Sequence, residues 1–171
     1  MANKEVIIIF SKYIFVTLAL WFIINGIHEY MHLIVGTALG GEGYIKLTGF
    51  GAATYWTGLT PTAYTLTSYA GGLITGTVLL VWSLFDLYFK NVSGWAAITP
   101  VAVSQLVYGL YEGMYQGTIP KTQYLATAST INMVTLFITI PICLIIVTNH
   151  GVNVWLQKTK EIEDRNEIET A

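Results

Sequence analysis

The stretch IINGIHEYMHLIVG, residues 23–36, decides how this chain is interpreted, because it places an HExxH motif inside an apolar segment. Two imidazoles and a carboxylate are costly to hold at membrane depth, so they need a compensating interaction there. On a helix, His28 and His32 are four residues apart and lie on one face, where both rings can bind a single divalent metal. Glu29 is placed to take a proton from a metal-bound water molecule. The motif therefore predicts a metal site within the membrane.

The composition is that of a membrane protein. Of the 171 residues, 54% are hydrophobic and 11% are charged. These values predict a single-domain, all-α polytopic membrane protein that has the lipid bilayer as its surroundings. The net charge of −2, without a basic patch, argues against nucleic acid as a partner. The single Cys143 excludes an intrachain disulfide.

Hydrophobic periodicity predicts four transmembrane helices, at about residues 6–39, 61–89, 95–116 and 124–148. The first exceeds the ~20 residues that cross a bilayer, so we expect it to tilt or to project beyond the lipid. Its polar and small residues recur every three or four positions and predict a stripe that faces protein, namely Asn25, His28, His32, Gly36 and Gly40.

Between the first two helices, residues 41–59 change character to glycines and β-forming residues. This pattern predicts a short β-like hairpin or re-entrant loop, with two strands on either side of Gly49-Phe50-Gly51. Unpaired backbone groups are not tolerated against lipid, so the segment must lie at the interface or line a protein cavity.

The third helix carries a polar stripe, made of Gln105, Tyr108, Glu112 and Tyr115. Glu112 is the only acidic residue between Asp86 and the C-terminal tail. A carboxylate buried there must be paired, protonated or bound to a metal.

Four spans place both termini on one side of the membrane. That side would hold six basic residues, Lys4, Lys12, Lys90, Lys158, Lys160 and Arg165, and the other side would hold Lys46 and Lys121. The excess of positive charge predicts that both termini are cytoplasmic. The chain thus divides into a transmembrane domain, residues 1–155, and a charged cytoplasmic tail, residues 156–171.

These motifs together resemble the site-2 protease family of intramembrane zinc metalloproteases. In that family an HExxH lies in an early transmembrane helix, a glycine-rich motif marks a later one, and an Asp-Gly pair on a third supplies the last metal ligand. Here the matching segments are HEYMH at 28–32, AGGL at 70–73 and Glu112-Gly113. The resemblance covers about residues 10–117.

The match departs from the family pattern at two of the three motifs. Gly72 occupies the position where the family usually has Pro, and Glu112 replaces the usual Asp. The Asn and Pro that normally precede the acidic pair are missing from residues 104–111. A glutamate can bind Zn²⁺ as an aspartate does, so a site with two histidines and one glutamate remains possible.

The resemblance implies a specific metal site and reaction. His28, His32 and Glu112 would hold Zn²⁺, and Glu29 would act as the general base and then as the acid. The reaction would be hydrolysis of a peptide bond in or near a transmembrane segment of a membrane protein substrate.

Other residues are candidates to bind the substrate or to orient the ligands. The predicted strands, with Tyr44 and Tyr55, could hold a substrate in an extended conformation. Asn25, Tyr108 and Tyr115 could orient ligands or stabilise the oxyanion, although polar contacts between helices would also explain each of them.

Two alternatives involve no catalysis. The histidines could form hydrogen bonds between helices without a metal. The chain could also be a catalytically degenerate subunit or assembly partner of a larger membrane complex, with a structural or redox metal. Replacing Glu29 by Gln distinguishes an enzyme from both, because only an enzyme should then lose turnover.

Overall fold

The computed structural model describes residues 2–48 and 51–170, and in that part of the chain it contains four helices and a hairpin. The helices are α1 (Ala2–Ala38), α2 (Pro61–Tyr88), α3 (Val92–Tyr115) and α4 (Lys121–Thr170). Strands β1 (Glu42–Thr48) and β2 (Gly51–Thr57) lie between α1 and α2. The predicted helical fold with a hairpin between its first two helices is thereby confirmed. The predicted turn residues Gly49 and Phe50 lie outside the described residues.

Three of the helices in the described part of the chain are long and apolar enough to cross a membrane. The three stretches are Ile7–Ala38, Pro61–Tyr88 and Thr122–Glu161. The third predicted span, α3, is not among them. It has 13 buried residues out of 24, because α1, α2 and α4 all pack against it. A helix that is largely covered by protein does not need a strongly apolar surface.

The helices alternate in direction. Near the start of α1, Tyr13 packs with Ala96 at the start of α3 and with Val147 in the second half of α4. The Tyr13 hydroxyl also donates a hydrogen bond to the Ile140 carbonyl, at 3.2 Å. Towards the end of α1, His28 contacts Gln105 in the second half of α3. Near the end of α3, Tyr111 packs with Tyr124 in the first turn of α4. Hence α1 and α3 run in one direction and α4 runs in the other, so α1 starts at the end of the bundle towards which α4 runs.

Glycines bring α2 and α3 into close contact. A Cβ atom built on Gly72 would collide with the backbone of Gly109, and the reverse is also true. One turn further along α2, a Cβ on Gly76 would meet the side chain of Leu106. The glycine spacing along α2 therefore serves as a helix contact, as small residues do in membrane bundles. The contact fixes α3 at the centre of the fold.

Several helix boundaries differ from the prediction, and the end of the fourth helix differs most. The fourth helix was expected to end near residue 148, but it continues to Thr170 as one helix of 50 residues. Residues 156–170 include four Glu and two Lys and lack Pro and Gly, so their intrinsic preference favours the helix. The third helix begins at Val92, because the Asn91 side chain accepts a hydrogen bond from the amide of Gly94, at 3.3 Å.

The hairpin packs against the end of α1. Its strands are antiparallel, with Tyr44 opposite Tyr55. The indole of Trp56 occupies the space beside Gly36 of α1, where a Cβ would overlap the ring. Gly40 and Gly58, which flank the hairpin, have φ values of +86° and +80°, which favour glycine. The hairpin is thereby turned back across the last turns of α1.

Candidate metal centre

Three side chains from α1 and α3 bring their donor atoms together. The Nε2 atoms of His28 and His32 are 3.0 Å apart. The Oε2 atom of Glu112 lies 3.0 Å from the first and 3.2 Å from the second. All three residues are at most 5% exposed. The structure thus brings together the three residues that were predicted as metal ligands.

The other nitrogen of each imidazole, Nδ1, already makes a hydrogen bond. His28 Nδ1 lies 2.8 Å from Oε1 of Gln105, and His32 Nδ1 lies 2.6 Å from the carbonyl oxygen of Thr67. Both of these oxygens are acceptors, so each ring donates its N–H through Nδ1. In the neutral imidazole the lone pair is then on Nε2. Metal-binding histidines are commonly oriented by such a hydrogen bond.

The donor set fits a zinc ion. Two Nε2 lone pairs and a carboxylate oxygen repel one another unless a positive charge lies among them. A single proton makes a strong bond to only one pair of these atoms, whereas a divalent cation attracts all three. Tetrahedral Zn²⁺ with ligands at ~2.0–2.1 Å spaces those ligands about 3.3 Å apart. The observed separations of 3.0–3.2 Å are close to this spacing.

A glycine of α2 provides the space beside the donors. A Cβ atom on Gly71 would collide with Nε2 and Cε1 of His32, and it would come within 2.7 Å of Nε2 of His28. The neighbouring Gly72 makes the helix contact with α3. The two adjacent glycines of the AGGL segment therefore have different tasks, one at the candidate site and one between the helices.

Glu29 lies next to the donors and is held by the hairpin. Ligand atoms of Glu29, His28 and His32 all lie within 4.8 Å of one another. The hydroxyl of Thr54 in β2 is 2.7 Å from Oε2 of Glu29, to which it can donate a hydrogen bond. The side chain of Glu29 is thus tied to β2 while His28 turns towards α3. Glu29 is therefore close enough to the two histidines to contribute a ligand atom as well, and its role as a base stays a prediction.

A cavity of about 460 Å³ opens beside the candidate site. Its walls include Glu29, His32 and Glu112 together with consecutive residues of β2, from 52 to 56. The site is therefore buried in the bundle but has space next to it for another molecule. The strand predicted to contact a substrate forms one wall of that space.

The other predicted site residues have different surroundings. Tyr108 packs edge-on against His28, with 5.3 Å between the ring centroids, and it lines the cavity. Tyr55 also lines the cavity and stacks on Tyr44, which is exposed and is not part of the cavity wall. Tyr115 is exposed and packs against Tyr111 instead.

The prediction that Asn25 faces protein was wrong. Asn25 is exposed, as is Gly40 at the far end of the predicted stripe. The buried positions along this part of α1 are Ile24, His28, His32 and Gly36, which repeat strictly every four residues. Asn25 follows Ile24 by one residue, which turns its side chain about 100° away from that row. It therefore lies outside the candidate site.

Two buried hydroxyls near the site were not predicted from the sequence. Thr67 and Tyr124 both line the cavity, and the hydroxyl of each is buried without a partner in ordinary hydrogen-bond geometry among the described residues. Tyr124 lies in the first turn of α4, which reads as an apolar scaffold helix. Its proximity to the site comes from the packing of α4 on α3, for which the sequence offers no local signal.

Comparison with known protein families, with curated proteins and with solved structures finds no match for this chain. The resemblance to the site-2 protease family thus rests on the HExxH motif and on the two weaker motifs at residues 70–73 and 112–113.

Proposed function

We propose that this chain is an integral, multi-pass membrane protein with both termini in the cytoplasm. Three helices have the length and composition of membrane spans. Large apolar side chains point outwards from two of them, such as Phe22, which is 70% exposed, and Phe137, which is 83% exposed. The alternating helix directions support a common side for the two termini, and the basic residues favour the cytoplasm for that side.

We propose further that the protein is a zinc metalloprotease that hydrolyses peptide bonds in or near a transmembrane segment of another membrane protein. One observation carries this proposal: three buried lone-pair donors, His28, His32 and Glu112, converge beside a cavity that Glu29 also lines. Zn²⁺ bound to these donors would make a water molecule acidic enough to act as a nucleophile at neutral pH and would polarise the scissile carbonyl.

Glu29 would handle the proton in this reaction. Its carboxylate accepts a proton from the attacking water and later gives it to the amide nitrogen that leaves. The water oxygen becomes part of the new carboxyl group, and the C–N bond breaks. Thr54 keeps the Glu29 carboxylate in position through the hydrogen bond of 2.7 Å.

The hairpin would bind the substrate. Within the described residues β2 pairs only with β1, so the hydrogen-bonding groups along its other edge are not used in a sheet. The same strand lines the cavity through residues 52–56. An extended peptide can add to such an edge, which would place its backbone near the candidate metal centre. A helical substrate segment must unwind first, because its amides are hydrogen-bonded within the helix.

The test compares wild type with Glu29→Gln and with Glu42→Gln, a change of the same kind at an exposed residue of β1. Zinc content is measured on the purified proteins, and cleavage is measured in cells that co-express each protein with membrane substrates. We expect one zinc per chain in all three proteins, with turnover lost only in Glu29→Gln. Equal cleavage by all three would contradict the protease proposal. Bound zinc without any cleavage would favour a degenerate subunit or assembly partner with a structural metal.

A further inference from the structure

Tyr124 of α4 has a buried hydroxyl to which the proposed reaction gives no role. The residue is 7% exposed and lines the same cavity as Glu29. Its hydroxyl lies within interaction range of Tyr108 and Glu112. Among the described residues, no atom lies in ordinary hydrogen-bond geometry to it. A buried hydroxyl without a partner is unfavourable, so its retention in a cavity wall points to a partner that arrives with a ligand.

The position of this hydroxyl is complementary to that of Glu29. Glu29 belongs to α1 and lies beside the two histidines, whereas Tyr124 belongs to α4 and lies near Glu112 on α3. A carboxylate accepts protons, and a phenol donates a hydrogen bond. The cavity is therefore lined by an acceptor and by a donor that come from different helices.

We propose that Tyr124 donates a hydrogen bond to the carbonyl oxygen of the scissile peptide and stabilises the negative charge that develops there. This proposal rests on the proposed hydrolase function. When the water oxygen bonds to the carbonyl carbon, the π electron pair moves onto the carbonyl oxygen and Glu29 takes the proton. Tyr124 keeps its own proton throughout. When the C=O bond reforms, the C–N bond breaks and the proton on Glu29 passes to the leaving nitrogen.

Two other buried hydroxyls near the site, those of Thr67 and Tyr111, can be compared with that of Tyr124. Thr67 also lines the cavity without a partner, but an aliphatic hydroxyl is a weaker acid than a phenol and stabilises an oxyanion less. Tyr111 is likewise buried with an unpartnered hydroxyl, and its ring stacks on that of Tyr124, yet it does not line the cavity. Tyr111 therefore provides a matched control for the loss of one phenolic oxygen.

The experiment compares Tyr124→Phe with Tyr111→Phe. Removing one oxyanion donor typically lowers kcat by about 10²–10³-fold. We expect a loss of this size in Tyr124→Phe, with KM and zinc content unchanged, and wild-type kinetics in Tyr111→Phe. In the part of the chain that the structure describes, neither hydroxyl makes a hydrogen bond of ordinary geometry, so both variants should fold as wild type does.

The possible outcomes separate this inference from the proposed function. Wild-type turnover in Tyr124→Phe, with Glu29→Gln inactive, overturns the inference and leaves the protease proposal intact. Equal turnover in wild type and Glu29→Gln overturns both. Loss of zinc from Tyr124→Phe overturns the inference too, because the tyrosine would then position Glu112.

A binding measurement provides a test that does not require turnover. The probe is a phosphinic peptide, whose tetrahedral, negatively charged P–O group resembles the hydrated peptide bond. We expect its affinity to fall at least about tenfold in Tyr124→Phe and to be unchanged in Tyr111→Phe. Equal affinity in the two variants and wild type, or no binding to any of them, overturns the inference.

Discussion

The two ends of the helix bundle bury their polar atoms in different ways. At the end where α1 starts, Tyr13 packs with Ala96, Ala97, Cys143 and Val147, and its hydroxyl has a carbonyl partner. At the other end, three buried side chains point acceptor atoms at one another across 3.0–3.2 Å. Packing and ordinary hydrogen bonding explain the first arrangement completely. The second brings three acceptor atoms together, an arrangement that a shared positive charge would stabilise.

The difference shows that burial alone does not identify a functional site. Tyr13 is fully buried, and its hydroxyl donates a hydrogen bond to the Ile140 carbonyl. His28 is also buried, but its surroundings orient it without neutralising the lone pair that it directs at His32. The useful signal is therefore a buried group of hydrogen-bond acceptors that outnumber the hydrogen-bond donors around them. Variants at each end of the bundle can show whether this excess of acceptors is confined to one end.

The largest expected effect is on metal content. His28→Ala removes one of three donors, and we expect zinc to fall from one per chain to none detectable. Glu112→Ala should weaken zinc binding, because it removes the only negative charge among the three. Elemental analysis of the purified proteins provides the measurement, with His150→Ala as a control outside the cluster. Full zinc retention by Glu112→Ala would exclude that residue as a ligand.

A change at Gly71 should have the next largest effect. Gly71→Ala places a methyl group against both imidazoles, so we expect zinc affinity to fall by about 10–100-fold, as it does when the groups around metal ligands are disturbed. Gly26→Ala on α1 is the control, since a Cβ there meets no atom within 4 Å. The control should keep its zinc and gain about 0.5–1 kcal/mol of stability. Competition with a chelator measures the affinity.

A smaller effect is expected from the hairpin contact with Glu29. Thr54→Val removes the hydroxyl that holds the carboxylate, and we expect kcat to fall roughly tenfold, in line with the loss of a positioning hydrogen bond. Zinc content should not change. Thr57→Val, on the same strand, removes only an exposed hydrogen bond to the Glu42 carbonyl and should leave kcat unaltered. Equal rates for the two variants would show that the hairpin does not position the base.

The smallest effect concerns the apolar end of the bundle. Tyr13→Phe removes one hydrogen bond to Ile140, and such a bond contributes about 0.5–1.5 kcal/mol to stability. We expect a small decrease in thermal stability, with zinc content and turnover unchanged. Tyr30→Phe, at an exposed position, is the control. A loss of zinc in Tyr13→Phe would show that the two ends are coupled.

How far the sequence predicts this site depends on whether a residue's role is set within its own helix. The spacing of His28 and His32 places both rings on one face of α1, so this pair could be predicted. Glu112 could be predicted because an isolated acid in an apolar helix must have a partner. The role of Gly71 depends on the separation of α1 and α2, and that of Tyr124 on the packing of α4. Neither separation nor packing is encoded in a local pattern.

The length of α1 sets how far the histidines lie from each end of this helix. His32 lies six residues before the end of the helix at Ala38, which at 1.5 Å per residue is roughly 9 Å. In the other direction, Tyr13 and the side chains packed around it are 19 residues away, or roughly 28 Å. The three acceptor atoms therefore lie close to the end of α1 that carries the hairpin, and the cavity lined by β2 is on that same side.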